Sequence, residues 1–205
     1  KDLKQIGTPT DEKIYIEEQV YKRLHTQEEF DKRVFVFMGH TECEEGKYKT
    51  FIESVIPVRD AQYANNVPIW DTKMWAEVFR EVKRAYEESI IVGWALDIKG
   101  FTPCLTEKIE AVHLEQFGGV HQLLFLFDSM ESEGFFYAQK GGHLQKKDGF
   151  YIYHDDTKKR KSDIDVHIQI ENAQSKILHR NLETVTEAEG MPVVTDSIHE
   201  QMEES

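Results

Sequence analysis

Two short and almost uninterrupted apolar runs, residues 33–40 and 90–96, constrain the fold of this chain more than any other feature. Runs of this length are typical of strands that are buried on both faces of a sheet. The first run is followed by a charged turn and then by alternating apolar residues over 51–58, and this pair predicts a β-hairpin. A sheet therefore lies at the centre of the predicted fold.

Two helical patterns accompany the strands. Residues 70–88 carry apolar side chains at helical spacing, with charge on the opposite side, and we predict that this aromatic face lies in the core. A second helix over residues 106–117 begins at Thr106, a good N-cap, and ends before Gly118. Further strands are predicted over 120–128, 134–140 and 149–153. We therefore predict an α+β, or mixed α/β, domain in which a central mixed β-sheet is flanked by two main helices.

Composition excludes several classes of partner. The 205 residues include 38 Asp and Glu against 25 Lys and Arg, for a formal net charge of −13. Binding to a phosphate backbone needs clustered positive charge, so we predict no nucleic-acid partner. No apolar run approaches the roughly 18 residues of a bilayer-spanning helix, and we predict no membrane insertion. Cys43 and Cys104 could form one disulfide, but two cysteines in a chain of this length favour reduced, partly buried thiols in a reducing compartment such as the cytoplasm.

Composition also changes along the chain. Residues 1–12 are polar and are interrupted by Gly and Pro, so we interpret them as a flexible leader. Residues 13–172 contain the periodic segments and form the predicted domain. Residues 173–205 lose the aromatic side chains and become acidic, which is typical of a tail or linker. Because the chain begins without Met, we interpret it as a piece of a longer protein.

Several short matches lie on these predicted elements. They are Val92-Gly93-Trp94, Gly100, Leu105-Thr106 and the apolar strand 124–128, which ends in Asp. In this order they resemble the VGWYHSHP, G, LS and VVID elements of the MPN (JAMM) family, which includes zinc isopeptidases that remove ubiquitin-like proteins. The resemblance covers residues 12–155. It implies the fold of that family, with a central sheet and flanking helices.

The resemblance also implies that the zinc site of the family has been lost. The family holds zinc with two His, one Asp and a water, and an upstream Glu acts as the general base. In the register set by these matches, the four protein positions hold Leu96, Ile98, Ile109 and either Lys32 or Arg33. Hydrocarbon side chains offer no lone pairs to a metal ion. The resemblance therefore implies a catalytically inactive member with no cofactor.

Two other groups of polar side chains have metal-ligand spacing. Asp163, Asp165 and His167 share one face of an alternating segment, a spacing that a hard cation or zinc can use. The exposed face of an amphipathic strand gives the same pattern, and we favour that interpretation. Glu110 and His113 are three residues apart on the second helix, but a carboxylate-bridged metal pair needs two such motifs on facing helices. We interpret them as a solvent-facing pair.

The leading functional hypothesis is a non-catalytic scaffold or protein-interaction module. Its partner would be a protein: another domain of the same type or a second copy of the chain. Exposed aromatic side chains anchor interfaces, which makes Trp70 and Phe101 the candidate contacts. One alternative is a metal-dependent hydrolase whose site has moved to Asp97, Glu110 and His113, or to the face that carries Asp163. A second is an accessory domain of a larger bacterial envelope or coat protein.

Overall fold

The computed structural model, which describes residues 3–9, 12–26 and 33–157, is built on one curled sheet of nine strands. The sheet belongs to a unit that spans residues 1–154. The elements in chain order are β1 (Leu3–Gly7), β2 (Lys13–Glu17), α1 (Glu18–Leu24), β3 (Val34–Glu44), β4 (Lys47–Val58), β5 (Tyr63–Ala64), β6 (Val67–Pro68), α2 (Thr72–Ala85), β7 (Ile90–Asp97), α3 (Glu107–Gln116), β8 (Leu123–Asp128), β9 (Glu133–Lys140), β10 (His143–Lys146) and β11 (Gly149–Tyr153).

The sheet mixes hairpins with parallel pairs. Its strand order is β1-β11-β2-β4-β3-β7-β8-β9-β10, and β5 pairs only with β6. The predicted hairpin is confirmed, because β3 and β4 are antiparallel neighbours. Three neighbouring pairs are parallel: β11 with β2, β2 with β4, and β7 with β8. A parallel pair needs a crossover connection, and α3 supplies it between β7 and β8.

Apolar clusters cover both faces of the sheet. One face packs against α1 through a group of phenylalanines, which are Phe35, Phe37, Phe125, Phe127, Phe136 and Phe150. The opposite face packs against α2 and α3, and its buried side chains include Trp94, Leu96, Ile109 and Phe117. Burial on both faces explains why the strongest runs in the sequence do not alternate.

Four rings stack in a row across neighbouring strands. Tyr151 stacks on Tyr15 at 5.1 Å between ring centroids, Tyr15 on Phe51 at 4.9 Å, and Phe51 on His40 at 4.8 Å. These residues are cross-strand partners in β11, β2, β4 and β3. The row ties together strands that are far apart in the chain, since cross-strand aromatic pairs stabilise a sheet.

The prediction of a helix-flanked α+β domain with the MPN fold is wrong. The structure is mostly β, with 46% of the described residues in strands and 22% in helices, and its sheet curls into a half-barrel. Two of the strands, β1 and β10, were not predicted from the sequence. Strand β1 lies in the predicted leader and pairs with β11, while β10 forms a hairpin with β9. Both added strands lie at the edges of the sheet and are short and largely exposed, so they lack the apolar signal of the central strands.

Two smaller expectations also differ from the structure. The buried residues of α2 are Met74 and Val78, whereas Phe79 of the predicted core face is 55% exposed. Both cysteines are free thiols, and both are exposed rather than partly buried. Among the described residues, no helix is long and apolar enough to cross a membrane.

Candidate functional site

The parallel strands β7 and β8 end side by side at two buried carboxylates. Asp97 closes β7 and is 2% exposed, and Asp128 closes β8 and is 3% exposed. Because parallel neighbours end at the same edge of a sheet, the two loops that follow lie together. The carboxyl ends of such strands are a common location for binding sites.

Asp97 joins the two loops through hydrogen bonds. Its Oδ1 accepts from the backbone amides of Lys99 and Ser129, each at 3.1 Å. Its Oδ2 accepts from the Ser129 hydroxyl at 2.5 Å. The Asp97 backbone carbonyl accepts from Nε of Arg33 at 3.0 Å. A buried carboxylate that accepts several donors fixes the backbone around it, so this residue holds the start of both loops.

Asp128 makes the reciprocal connection. Its Oδ1 accepts from the backbone amides of Gly100 and Met130, each at 3.0 Å. Gly100 has a φ of +79°, a conformation that glycine adopts at little cost. A methyl group at Gly100 would lie 3.9 Å from Sδ of Met130, so the two loops are in close proximity. Each loop is thus bound to the strand that precedes the other.

Two large apolar side chains project from these loops. Phe101 is 69% exposed and Met130 is 67% exposed. We call this pair the loop-tip patch. Its backbone is held from both sides by Asp97 and Asp128, so the patch is presented on an ordered support. Exposed apolar side chains on an ordered support are suited to contact with another protein.

The three hydrocarbon residues at the predicted zinc-ligand positions belong to the apolar packing on one face of the sheet. Leu96 and Ile109 belong to the apolar cluster beneath α2 and α3, and Ile98 packs against that cluster. Within the described ranges, no group of three His, Cys, Asp or Glu side chains has a geometry that could hold a metal ion. Lys32, Asp163, Asp165 and His167 lie outside the described residues.

Glu110 and His113 point in different directions. Oε2 of Glu110 accepts from the amide of Leu144 at 3.0 Å, and Oε1 lies 3.3 Å from Nδ1 of His143. These contacts lower the pKa of Glu110, the Leu144 amide first and His143 second. His113 is instead fully buried and accepts a hydrogen bond from Trp94. The structure therefore does not bring the two side chains into one site.

The two aromatic candidates have opposite environments. Trp70 is 7% exposed and packs between Trp94 and Phe117 at centroid distances of 5.7 and 5.0 Å. Its side chain is therefore part of the core and offers little surface to a partner. Phe101 is the candidate that remains exposed.

Ser129 and Met130 are parts of this site that were not predicted from the sequence. The apolar strand 124–128 ends in Asp, and the following Asp-Ser pair is the available signal for an ordered loop start. Nothing in the sequence marks Met130, because its exposure depends on the loop geometry.

Comparisons with known proteins do not identify a family. No family model matches the chain, and no curated protein matches it. Among solved structures, it is similar to the solution structure of protein DSY2949 from Desulfitobacterium hafniense, with a TM-score of 0.47 and 7% sequence identity. That match covers 69% of this chain and 92% of the other. The resemblance to the MPN family therefore stays a prediction.

Proposed function

We propose that this protein is a non-catalytic protein-interaction module, and that the loop-tip patch of Phe101 and Met130 is its contact surface. The observation that carries the proposal is the exposure of two large apolar side chains on loops fixed by Asp97 and Asp128. A fixed support lowers the entropy lost on binding, and central apolar side chains supply most of the binding energy in interfaces.

The chemistry at this edge supports binding rather than catalysis. The oxygens of Asp97 already accept hydrogen bonds from Lys99 and Ser129. A general base must instead have an acceptor within reach of a substrate proton. The relocated hydrolase is not favoured by the described residues, because Glu110 and His113 diverge. Nothing in the described residues favours an envelope or coat protein.

Site-specific crosslinking tests the proposal. A photoreactive phenylalanine analogue is placed at Phe101 in the full chain and irradiated in cells of the source organism. We expect a crosslink to one defined protein, or to a second copy of the chain, which mass spectrometry then identifies. Reduced recovery of that product from a chain that also carries Met130→Ser would support the loop-tip patch. Because Met130 is exposed, this substitution should change the free energy of unfolding by less than about 0.5 kcal/mol.

The analogue at Phe79 is the matched control, since Phe79 is 55% exposed and lies on α2 rather than on the loops. A product that forms equally from both positions would contradict a specific contact at Phe101. Hydrolysis of an isopeptide-linked substrate by the purified chain would contradict the non-catalytic part of the proposal.

A further inference from the structure

A second surface with different chemistry lies between α1, the end of β4 and α2. It is a groove of about 530 Å³. Five cationic side chains and three carboxylates line it, although the whole chain carries a net charge of −13. The cations are Arg23, Arg59, Lys73, Arg80 and Arg84, and we call this surface the cationic groove. Positive charge is concentrated here in an otherwise acidic protein.

The helix supplies one wall of the cationic groove through its periodicity. Lys73, Glu77, Arg80 and Arg84 follow one another at spacings of three or four residues, which places them along one side of α2. Arg84 forms an ion pair with Glu81 at 2.8 Å. Hence part of the positive charge on this wall is already neutralised.

Three cations remain available for a ligand. The side chains of Arg59, Lys73 and Arg80 make no hydrogen bond or ion pair with any residue that the structure describes. All three are exposed. Arg59 and Arg80 are close enough to Glu81 to contribute to the lowered pKa of its carboxyl, after Arg84. They therefore act on the same part of the groove.

The backbone edge of β4 inside the groove is closed to an added strand. Strand β2 pairs with β4 only up to Ile52, which leaves the following residues without a strand on that side. The carbonyl of Val55 accepts from Arg23 at 3.5 Å, Pro57 has no N–H, and the amide of Arg59 donates to Glu77 at 3.2 Å. Val55 and Pro57 are alternate residues of β4 and direct their backbone groups to the same side, and Arg59 directly follows the strand. Recognition here depends on side chains.

We propose that the cationic groove binds a short acidic peptide segment of a partner protein. Carboxylates of the peptide would pair with Arg59, Lys73 and Arg80, while apolar peptide residues would contact the half-buried Pro57 and Tyr86. Arginine is well suited to pairing with carboxylates. This binding site is distinct from the loop-tip patch and does not depend on it.

Charge complementarity also limits the length of the ligand. A long polyanion, such as a nucleic acid, would extend from the groove over a protein surface with net negative charge and would be repelled. The carboxylates of Asp60, Glu77 and Glu81 within the groove add to that repulsion. A short peptide that alternates acidic and apolar residues avoids both costs.

Fluorescence anisotropy with a defined peptide tests the proposal. The probe is a short fluorescein-labelled peptide that alternates glutamate with valine, added to the full chain at low salt. We expect saturable binding that weakens as salt is raised, and no binding of a matched peptide with glutamine in place of glutamate. The double variant Arg59→Gln and Arg80→Gln should weaken binding about tenfold, since each exposed charge pair contributes a factor of a few.

Lys83→Gln is the matched control, because Lys83 is an exposed cation on the same helix that does not line the groove. This variant should bind the peptide as the unchanged protein does. Equal weakening by Lys83→Gln and by the double variant would overturn the proposal, because it would indicate attraction to charge in general. Absence of binding by the glutamate peptide would overturn it too, as would tighter binding of a single-stranded oligonucleotide of the same charge.

Discussion

Nε1 of Trp94 donates a hydrogen bond to Nδ1 of His113 across 2.9 Å, inside the buried layer between β7 and α3. Because the indole can only donate, Nδ1 of His113 accepts, and the neutral ring carries its proton on Nε2. Nε2 is buried and has no hydrogen-bond partner among the described residues. Burial is the main cause that lowers the pKa of His113 to about 4. The histidine thus belongs to the core rather than to a reactive site.

The first prediction is that acid destabilises the fold through His113. We expect the free energy of unfolding to fall as the pH is lowered from about 6.5, the ordinary pKa of histidine, to about 4. Over this interval the unfolded chain binds a proton at His113 that the folded chain does not, so acid favours unfolding. The loss is about 3 kcal/mol and is complete below the folded-state pKa. Urea unfolding at a series of pH values measures it.

The control for this prediction is His113→Asn, which retains an acceptor for Trp94 but does not titrate. Carboxylates contribute equally to both proteins, so the difference in slope isolates the histidine. Parallel curves for the two proteins between these pH values would contradict the assignment.

The second prediction concerns His40, for which the free energy of unfolding should change with pH in the direction opposite to that for His113. His40 lies between Glu53 and Glu42 and stacks on Phe51. Burial alone would lower the pKa of His40, but hydrogen bonds and the charges of the two glutamates raise it. The stabilisation is therefore present below the ordinary histidine pKa and is lost as the pH rises through the raised value. Because the ring is about half exposed, the effect is below about 1 kcal/mol.

Thermal unfolding of the chain with and without His40→Gln measures this second effect. The variant should be less stable near about pH 6, where His40 is charged, and the difference should shrink near about pH 8.5. The residual difference at high pH reports the loss of stacking on Phe51. If the difference in stability between the two proteins grew with pH, the charge of His40 beside Glu42 and Glu53 would not stabilise the fold.

The third prediction concerns the support of the loop-tip patch. Asp97→Ala leaves the amides of Lys99 and Ser129 without their acceptor, and we expect a loss of about 3 kcal/mol in the free energy of unfolding. Asp97→Asn retains one oxygen for both amides and should lose about 1 kcal/mol. Urea unfolding distinguishes the two. The exposed Asp148→Ala is the control, and its effect should stay within about 0.5 kcal/mol.

The fourth prediction concerns close approach of two strands. A methyl group on Gly93 would lie 2.2 Å from the backbone oxygen of Leu123, its partner in β8. Gly93→Ala should therefore cost about 3 kcal/mol, because backbone must move and because Gly93 has a φ of +155°. At Gly46, in the turn between β3 and β4, nothing lies within 4 Å of such a methyl group. Gly46→Ala should cost only about 1 kcal/mol, which reflects its φ of +74°. Similar losses would contradict the steric explanation.

The central strands could be predicted from sequence because burial on both faces leaves an unmistakable apolar run. Residues 33–40 and 90–96 became β3 and β7, and the helices over 70–88 and 106–117 became α2 and α3. The overall class was missed because β1 and β10 are edge strands with few buried residues. Their pairing depends on the partners β11 and β9, which local patterns do not reveal.

Only part of the candidate site could be predicted, because the sequence shows which residues are aromatic but not which of them the fold leaves exposed. Phe101 stood out as an aromatic residue in a loop, and its exposure agrees with that interpretation. Trp70 has the same sequence signature, but α2, α3 and Trp94 enclose it. The cationic groove could have been found from the spacing of Lys73, Arg80 and Arg84 along α2. Arg59, another cation of the groove, directly follows β4, and only the fold brings it close to α2.

Strand β11 lies between β1 and β2, although more than a hundred residues separate it from either in the chain. During synthesis on the ribosome, the strand at Leu3–Gly7 therefore lacks the one strand that it pairs with among the described residues until Tyr153 has left the exit tunnel. Until that moment β2 also carries an unpaired edge, which is a site for association between nascent chains. When β11 is synthesised, it pairs with β1 on one side and covers the free edge of β2 on the other.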